Sequence, residues 1–144
     1  MKTKAEIATQ DYMGKFNCAQ STIAQFAEKY GLDEKTALRM GAGFGGGCHY
    51  GEACGSVISA CAVIGLKHGH QEPDPEKYNH CREKIREFMA LFTEEFGTAR
   101  CSDLLGVDMV DPDGRSKAYE LGLMETRCKD IVTFVVNTLE KLGY

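Results

Sequence analysis

The chain has 144 residues, room for one domain with its own core and too little for two ordinary ones. Hydrophobic residues make up 43% and charged residues 26%, a balance that excludes wholesale disorder and collagen-like or mucin-like chains. The 17 Lys and Arg against 21 Asp and Glu give a formal net charge of −4, so nucleic acid is not an expected partner. The dominant period along the chain is helical. An opening helix over residues 4–13 carries Ile7 and Tyr12, and Gly14 weakens its end. Asn17 can cap a second helix from Cys18, whose Ile23, Phe26, Ala27 and Tyr30 share one face and which Gly31 closes. Asp33 caps the next, up to Met40.

Residues 41–55 break the pattern with seven glycines in fifteen positions. Ordering that much glycine costs roughly 0.5–1 kcal/mol per residue relative to Ala. The stretch also holds Phe44, Cys48, Tyr50 and Cys54, so it reads as an ordered loop whose backbone must approach something closely, not as a linker. Gly41, Gly43 and Gly46 match Gly-x-Gly-x-x-Gly, but a helix and not a strand precedes them, which argues against a dinucleotide site.

A small-faced buried helix follows over residues 54–66. Asp74 and Pro75 start a long helix whose stripe is Ile85, Phe88, Met89, Phe92 and Phe96, closed by Gly97. Thr98 can cap a short turn to Leu105, and residues 107–114 read as a loop. A last helical region over residues 116–142, broken near Gly122, buries Ile131, Phe134, Val135, Leu139 and Leu142. No period-two strand is evident. The expected fold is all-α, a single compact bundle of about six or seven helices with an ordered Gly-rich loop, one domain over residues 1–144.

No apolar run is long enough to span a bilayer, so no membrane insertion is expected. Residues 1–6 are not followed by an apolar stretch and do not read as a secretory signal, which makes the cytoplasm the expected compartment. There, seven widely spaced cysteines point to metal ligation or redox chemistry more than to structural disulfides. Four of them fall at expected helix starts: Cys18, Cys54, Cys101 and, with Thr126 as cap, Cys128. Unpaired N–H groups at such positions favour the thiolate. Cys61 and Cys81 lie on apolar faces and read as packing residues, while Cys48 sits in the Gly-rich loop beside His49. No Cys-x-x-Cys is present, and His68, His70 and His80 read as solvent-exposed.

Asn17-Cys18-Ala19-Gln20, Gly43-Phe44-Gly45-Gly46-Gly47, Cys54-Gly55, the run from Cys101 to Gly106, and Cys128 together form a pattern. In order and spacing it resembles the redox-active cysteine proteins named for C-GCAxxG-C-C, over nearly the whole chain. Where that pattern has Ala and Gly, this chain has Ser56 and Ser59, small for small. The resemblance places the family's four cysteines on Cys18, Cys54, Cys101 and Cys128, and Cys48 is an extra thiol. The family is similar to the non-haem domain of split-Soret cytochromes, which implies an iron–sulfur centre. Without Cys-x-x-Cys-His, no covalent haem is expected.

Three readings follow. In the first, an electron-transfer protein holds an iron–sulfur cluster on Cys18, Cys54, Cys101 and Cys128, with Cys48 in reserve. Backbone N–H groups around Gly45, Gly46, Gly47 and Gly55 then serve the cluster, and a bulky residue at Gly46 bleaches it. In the second, a cluster-free protein cycles two of these cysteines between dithiol and disulfide, with Cys48 and Cys54 the nearest pair in sequence. In the third, a helical module grips a small anion or partner. No Ser/His/Asp set, paired carboxylates or His-Glu-x-x-His marks a catalyst. A redox partner is implied but not identified, and a homodimer sharing a cluster across a two-fold axis fits the wide ligand spacing.

Overall fold

The computed structural model describes residues 1–14 and 16–144. Among them eight α-helices form and no strand. Helix α1 (Lys4–Gly14) starts on a reciprocal cap: Thr3 N–H donates to Glu6 Oε2 at 2.8 Å and Glu6 N–H to Thr3 Oγ1 at 3.1 Å. Helix α2 (Cys18–Ile23) starts on another. Gln20 N–H donates to the Asn17 side chain, and Asn17 N–H to the Gln20 side chain. The helical run expected on to Tyr30 stops early, and the chain reaches Gly31 (φ 85°) through a short 3-10 turn, Glu28–Tyr30. Asp33 caps α3 (Glu34–Ala42), which runs directly into the Gly-rich loop, so no strand precedes that loop.

Beyond the loop come α4 (Gly55–His68), α5 (Pro75–Phe96) and α6 (Cys101–Leu105). Asp74 and Pro75 start α5, and Gly97 (φ 80°) ends it, as the sequence indicates. The cap of α6 is Arg100, not Thr98, whose hydroxyl accepts from Arg100 N–H at 3.1 Å. Residues 107–114 are not all loop, because α7 (Pro112–Glu120) begins there on Asp111, with Pro112 at its first position. The break at Gly122 (φ 68°) is present. Helical structure resumes in a wide turn, Met124–Cys128, that continues into α8 (Lys129–Lys141). The Thr126 hydroxyl donates back to Gly122 O at 2.9 Å and caps nothing, so Cys128 lies inside continuous helical structure, not at a helix start.

The small residues of α4 let its neighbours come close. It buries Gly55, Ser56, Val57, Ser59, Ala60, Val63 and Ile64 and packs against α2, α5 and α8. The Ser56 and Ser59 hydroxyls are fully buried and both have partners on α2. Ser56 Oγ lies 2.6 Å from Thr22 Oγ1, and Ser59 Oγ donates to Ala19 O at 2.8 Å. Each buried hydroxyl is satisfied, which removes the desolvation penalty that Ser in place of Ala or Gly otherwise carries.

Phe88 and Phe92 of α5 are fully buried. An aromatic relay runs from Phe92 to Phe96 (centroids 4.8 Å) and on to Phe134 of α8 (5.2 Å). Ile131, Val132, Val135, Val136 and Leu139 complete this main core; each such side chain contributes about 1.5–3 kcal/mol on burial. A second, smaller apolar cluster gathers Cys101, Leu105, Met109 and Ala118.

Cys61 lies half-buried against the main core and close to Cys81, which borders a shallow groove with His70 and Tyr78. His70 and His80 are exposed, but His68 is half-buried, edge-on to His80 (4.8 Å) and to Tyr144 (5.7 Å). The closing chain end covers it, which the local sequence does not reveal.

Candidate functional site

The site lies where the two apolar clusters meet. A two-residue antiparallel bridge pairs Ala53 with Arg100. Cys54 N–H donates to Ala99 O at 2.8 Å and Cys101 N–H to Glu52 O at 2.6 Å. Arg100 reinforces the bridge on the outside, pairing with Glu52 at 3.3 Å and Asp103 at 3.0 Å. The residues that follow the bridge on its two sides are Cys54 and Cys101, so the bridge sets the starts of α4 and α6 together.

Cys18 opens α2 and reaches the same place because Gly55 carries no side chain. A Cβ on Gly55 would sit 2.9 Å from Cys18 Sγ and 2.7 Å from Phe44 O. Cys128 comes from the wide turn before α8, its Sγ 3.8 Å from Met124 Sδ. Cys18, Cys54, Cys101 and Cys128 line a single cavity of about 460 Å³, together with Gly45, Gly46 and Gly55. Gly47 is not in its wall. Its missing Cβ makes room instead for the Glu52 backbone and for Cys101 Cβ.

The loop that closes one side is wound the wrong way for L-residues. Gly46, Gly47, Cys48 and His49 are four consecutive residues in the left-handed region, with φ of 61°, 65°, 56° and 55°. His49 Nε2 lies 2.7 Å from Ala42 O and fixes the turn, and His49 also borders the cavity. Cys48 points away: it is exposed and does not line the cavity. The structure therefore places Cys48 on the surface and Cys54 in the cavity wall. A soluble maleimide is expected to label Cys48 first, at least about tenfold faster than the other six thiols, as read by peptide mass spectrometry over time. Equal labelling of Cys54 and Cys48 would contradict this geometry.

The electrostatics of the four thiols differ from the helix-start expectation. Burial pushes Cys101 up to about 11 and Cys128 up to about 12, with a Cys18 thiolate as the next contributor in both. Cys18 and Cys54 are raised as well, again chiefly by burial. The N–H groups of Gly46, Ala19 and Ser56 facing Cys18, and those of Val57 and Ser56 facing Cys54, do oppose this. Their lowering effect has the sign that helix starts give, but desolvation outweighs it.

Four thiols, two buried and two half-buried, that penalise one another's ionisation form a site that a cationic group can discharge, and binding of that group would release protons. No three His, Cys, Asp or Glu among the described residues are gathered closely enough for a single metal ion. Around one ion, thiolate bonds of about 2.3 Å hold the sulfurs within about 4–5 Å of each other. Soft thiolates are the donors that iron–sulfur clusters take, and four of them line this one cavity.

Sequence reasoning did not single out Tyr12, Met109, Arg115, Tyr119 or Met124, all of which line the cavity. Tyr12 Oη donates to Met124 O at 2.7 Å and faces Cys128 and Cys18; burial and these thiols raise its pKa. Its helical register placed it on the inner face of α1, but nothing local distinguishes a cavity wall from core.

The order of thiols around this cavity has a counterpart. Residues 16–142 match the family model described as "Putative redox-active protein (C_GCAxxG_C_C)". The chain belongs to this family. Membership covers every cysteine of the cavity, and it covers Cys48, Cys61 and Cys81 as well. In this C_GCAxxG_C_C chain Asn17 caps the helix that Cys18 opens, and Gly55 leaves the room that the Cys18 sulfur occupies. No curated protein and no solved structure matches the chain. Among the described residues no helix is long and apolar enough to cross a membrane.

Proposed function

We propose that this C_GCAxxG_C_C protein transfers electrons through an iron–sulfur cluster held by Cys18, Cys54, Cys101 and Cys128. The observation that carries the reading is the convergence of these four thiols, from four separate parts of the chain, on one cavity. A cluster bound there supplies one-electron chemistry at a potential set by its surroundings. The chain's own residues do the rest. The N–H groups of Gly46, Ala19 and Ser56 orient toward Cys18 and favour its thiolate. Leu104, Leu105 and Ile131 keep the floor apolar and limit water around the sulfurs. The Ala53–Arg100 bridge fixes the separation of Cys54 and Cys101, so neither ligand has to be ordered when the cluster binds.

The cluster-free thiol–disulfide reading loses support. Its nearest pair in sequence is split between an exposed Cys48 and a buried Cys54, and burial raises the pKa of the cavity thiols, which disfavours the attacking thiolate.

The test is spectroscopic. Protein purified without oxygen is expected to show sulfur-to-iron charge-transfer absorption in the visible. Ser replacement at Cys18, Cys54, Cys101 or Cys128 weakens or abolishes it, while Cys48→Ser, Cys61→Ser and Cys81→Ser leave it intact. Absorption that survives all four cavity replacements, or is lost with Cys48→Ser alone, overturns the ligand set.

A further inference from the structure

Thiols and apolar side chains line the inside of the cavity, but its exposed rim is built from other chemistry. Helix α7 brings Arg115 and Tyr119 to it. Arg115 forms no ion pair among the described residues, although Glu125 also borders the cavity. The two other arginines near the site are engaged: Arg100 with Glu52 and Asp103, Arg127 with Leu104 O and the Phe96 ring. The Arg115 guanidinium lies 6.0 Å from the centre of the Tyr119 ring, at the outer limit of a cation–π contact, and has no ion-pair partner among the described residues to occupy its N–H donors.

Inside the rim the walls are apolar, with Leu105, Met109 and Met124. Apolar walls around a few orienting polar groups are the lining common to small-molecule pockets. The carrier of Arg115 is lightly held. One buried side chain, Ala118, anchors α7, and the segment runs between two left-handed glycines, Gly106 and Gly122.

We infer that the mouth of the cavity binds a small organic carboxylate, paired with the Arg115 guanidinium and with its carbon body on Leu105, Met109 and Met124, facing the thiols. One guanidinium with Glu125 nearby suits a monoanion and not a phosphate dianion. The planar fork of Arg matches a carboxylate through two parallel hydrogen bonds. Apolar walls suit a carbon skeleton and give a bare inorganic ion nothing to rest on. The inference goes beyond the proposed function: it uses the same cavity but does not need the cluster.

The experiment is calorimetric titration of the anaerobically purified protein with benzoate, with benzamide and inorganic phosphate as comparisons, on the natural chain and on Arg115→Gln and Arg115→Lys. Arg115 is exposed and on a helix surface, so both variants are expected to keep the fold. Benzoate binds, benzamide and phosphate bind at least about tenfold more weakly, Arg115→Gln costs at least about tenfold in benzoate affinity, and Arg115→Lys restores part of it. No benzoate binding at millimolar concentration, equal affinity for benzamide, phosphate as tight as benzoate, or an Arg115→Gln variant that binds normally would each overturn the inference. Iron counted on the same samples keeps the two proposals apart. Protein that takes up no iron even on anaerobic reconstitution but binds benzoate contradicts the cluster alone, and iron-loaded protein that does not bind it contradicts the carboxylate site alone.

Discussion

Gly55→Ala is expected to destabilise the protein and, on the proposed function, to weaken cluster binding, although Ala is the better helix former by about 1 kcal/mol. Gly55 is the first residue of α4 and fully buried. A Cβ there meets Phe44 O at 2.7 Å, Cys18 Sγ at 2.9 Å and Gly45 Cα at 3.1 Å. Two of the three are backbone atoms and cannot rotate away, so either α4 shifts or the loop does. Overpacking of this kind costs roughly 1–3 kcal/mol, and the displaced atom with most freedom is the Cys18 sulfur itself.

Gly65, ten residues later on the same helix, is the control. A Cβ there meets nothing within 4 Å, and its φ is not left-handed. Gly65→Ala should therefore stabilise by roughly 0.5–1 kcal/mol. The two variants move Tm in opposite directions, each by a few degrees, and only Gly55→Ala loses visible absorption. A Gly55→Ala protein as stable and as coloured as Gly65→Ala would show that Cys18 does not depend on that glycine.

Gly47→Ala is expected to cost about 2–5 kcal/mol, a large share of the roughly 5–15 kcal/mol of a typical domain. Two terms add. The left-handed backbone at φ 65° costs a side chain roughly 1–2 kcal/mol, and a Cβ would meet Glu52 N at 2.5 Å, Glu52 O at 2.6 Å and Cys101 Cβ at 2.7 Å. The Glu52 carbonyl is the acceptor that holds Cys101 N–H, so the substitution attacks the bridge that sets the two thiols. Gly46 has nearly the same φ, 61°, but a Cβ there meets only His49 Nδ1 at 3.9 Å. Gly46→Ala should pay the backbone term alone, about 1–2 kcal/mol, and keep the site. Denaturant unfolding of both variants separates the terms. Equal losses would mean that backbone strain dominates and the contact with Glu52 is relieved cheaply. The sequence-based focus on Gly46 as the critical glycine thus moves to Gly47 and Gly55, because loop composition cannot tell which glycine faces an open cavity and which faces a neighbouring carbonyl.

Much of the fold was legible because its signals are local. Asn17, Asp33 and Asp74 cap the helices that the sequence assigns to them, and Gly31, Gly97 and Gly106 end theirs in the left-handed region. The same logic applied to Asp111 and Pro112 finds α7, yet the neighbouring Gly114 and three Asp residues in 108–113 read as a turn. Gly114 is there because a Cβ would collide with the Asp108 carbonyl, a packing requirement invisible in sequence.

The site was legible in part. Cys18, Cys54 and Cys101 stand at helix starts as expected, but Cys128 arrives through a wide turn that no cap announces. The sign of the thiol pKa shifts was missed for one reason: helix N–H groups are a local feature, whereas burial is decided by α1, α4 and α8 closing around the thiols. Arg115 and Tyr12 were missed for the same reason, since each reaches the cavity from an element distant in sequence.

The most direct measurement is iron and acid-labile sulfide per chain in protein purified without oxygen. A cluster on these four thiols predicts about two to four irons per chain with matching sulfide, and loss of both in Cys54→Ser but not in Cys48→Ser. Protein that contains neither iron nor sulfide, and takes up neither on anaerobic reconstitution, would contradict the cluster and leave four thiols around one cavity that require another explanation.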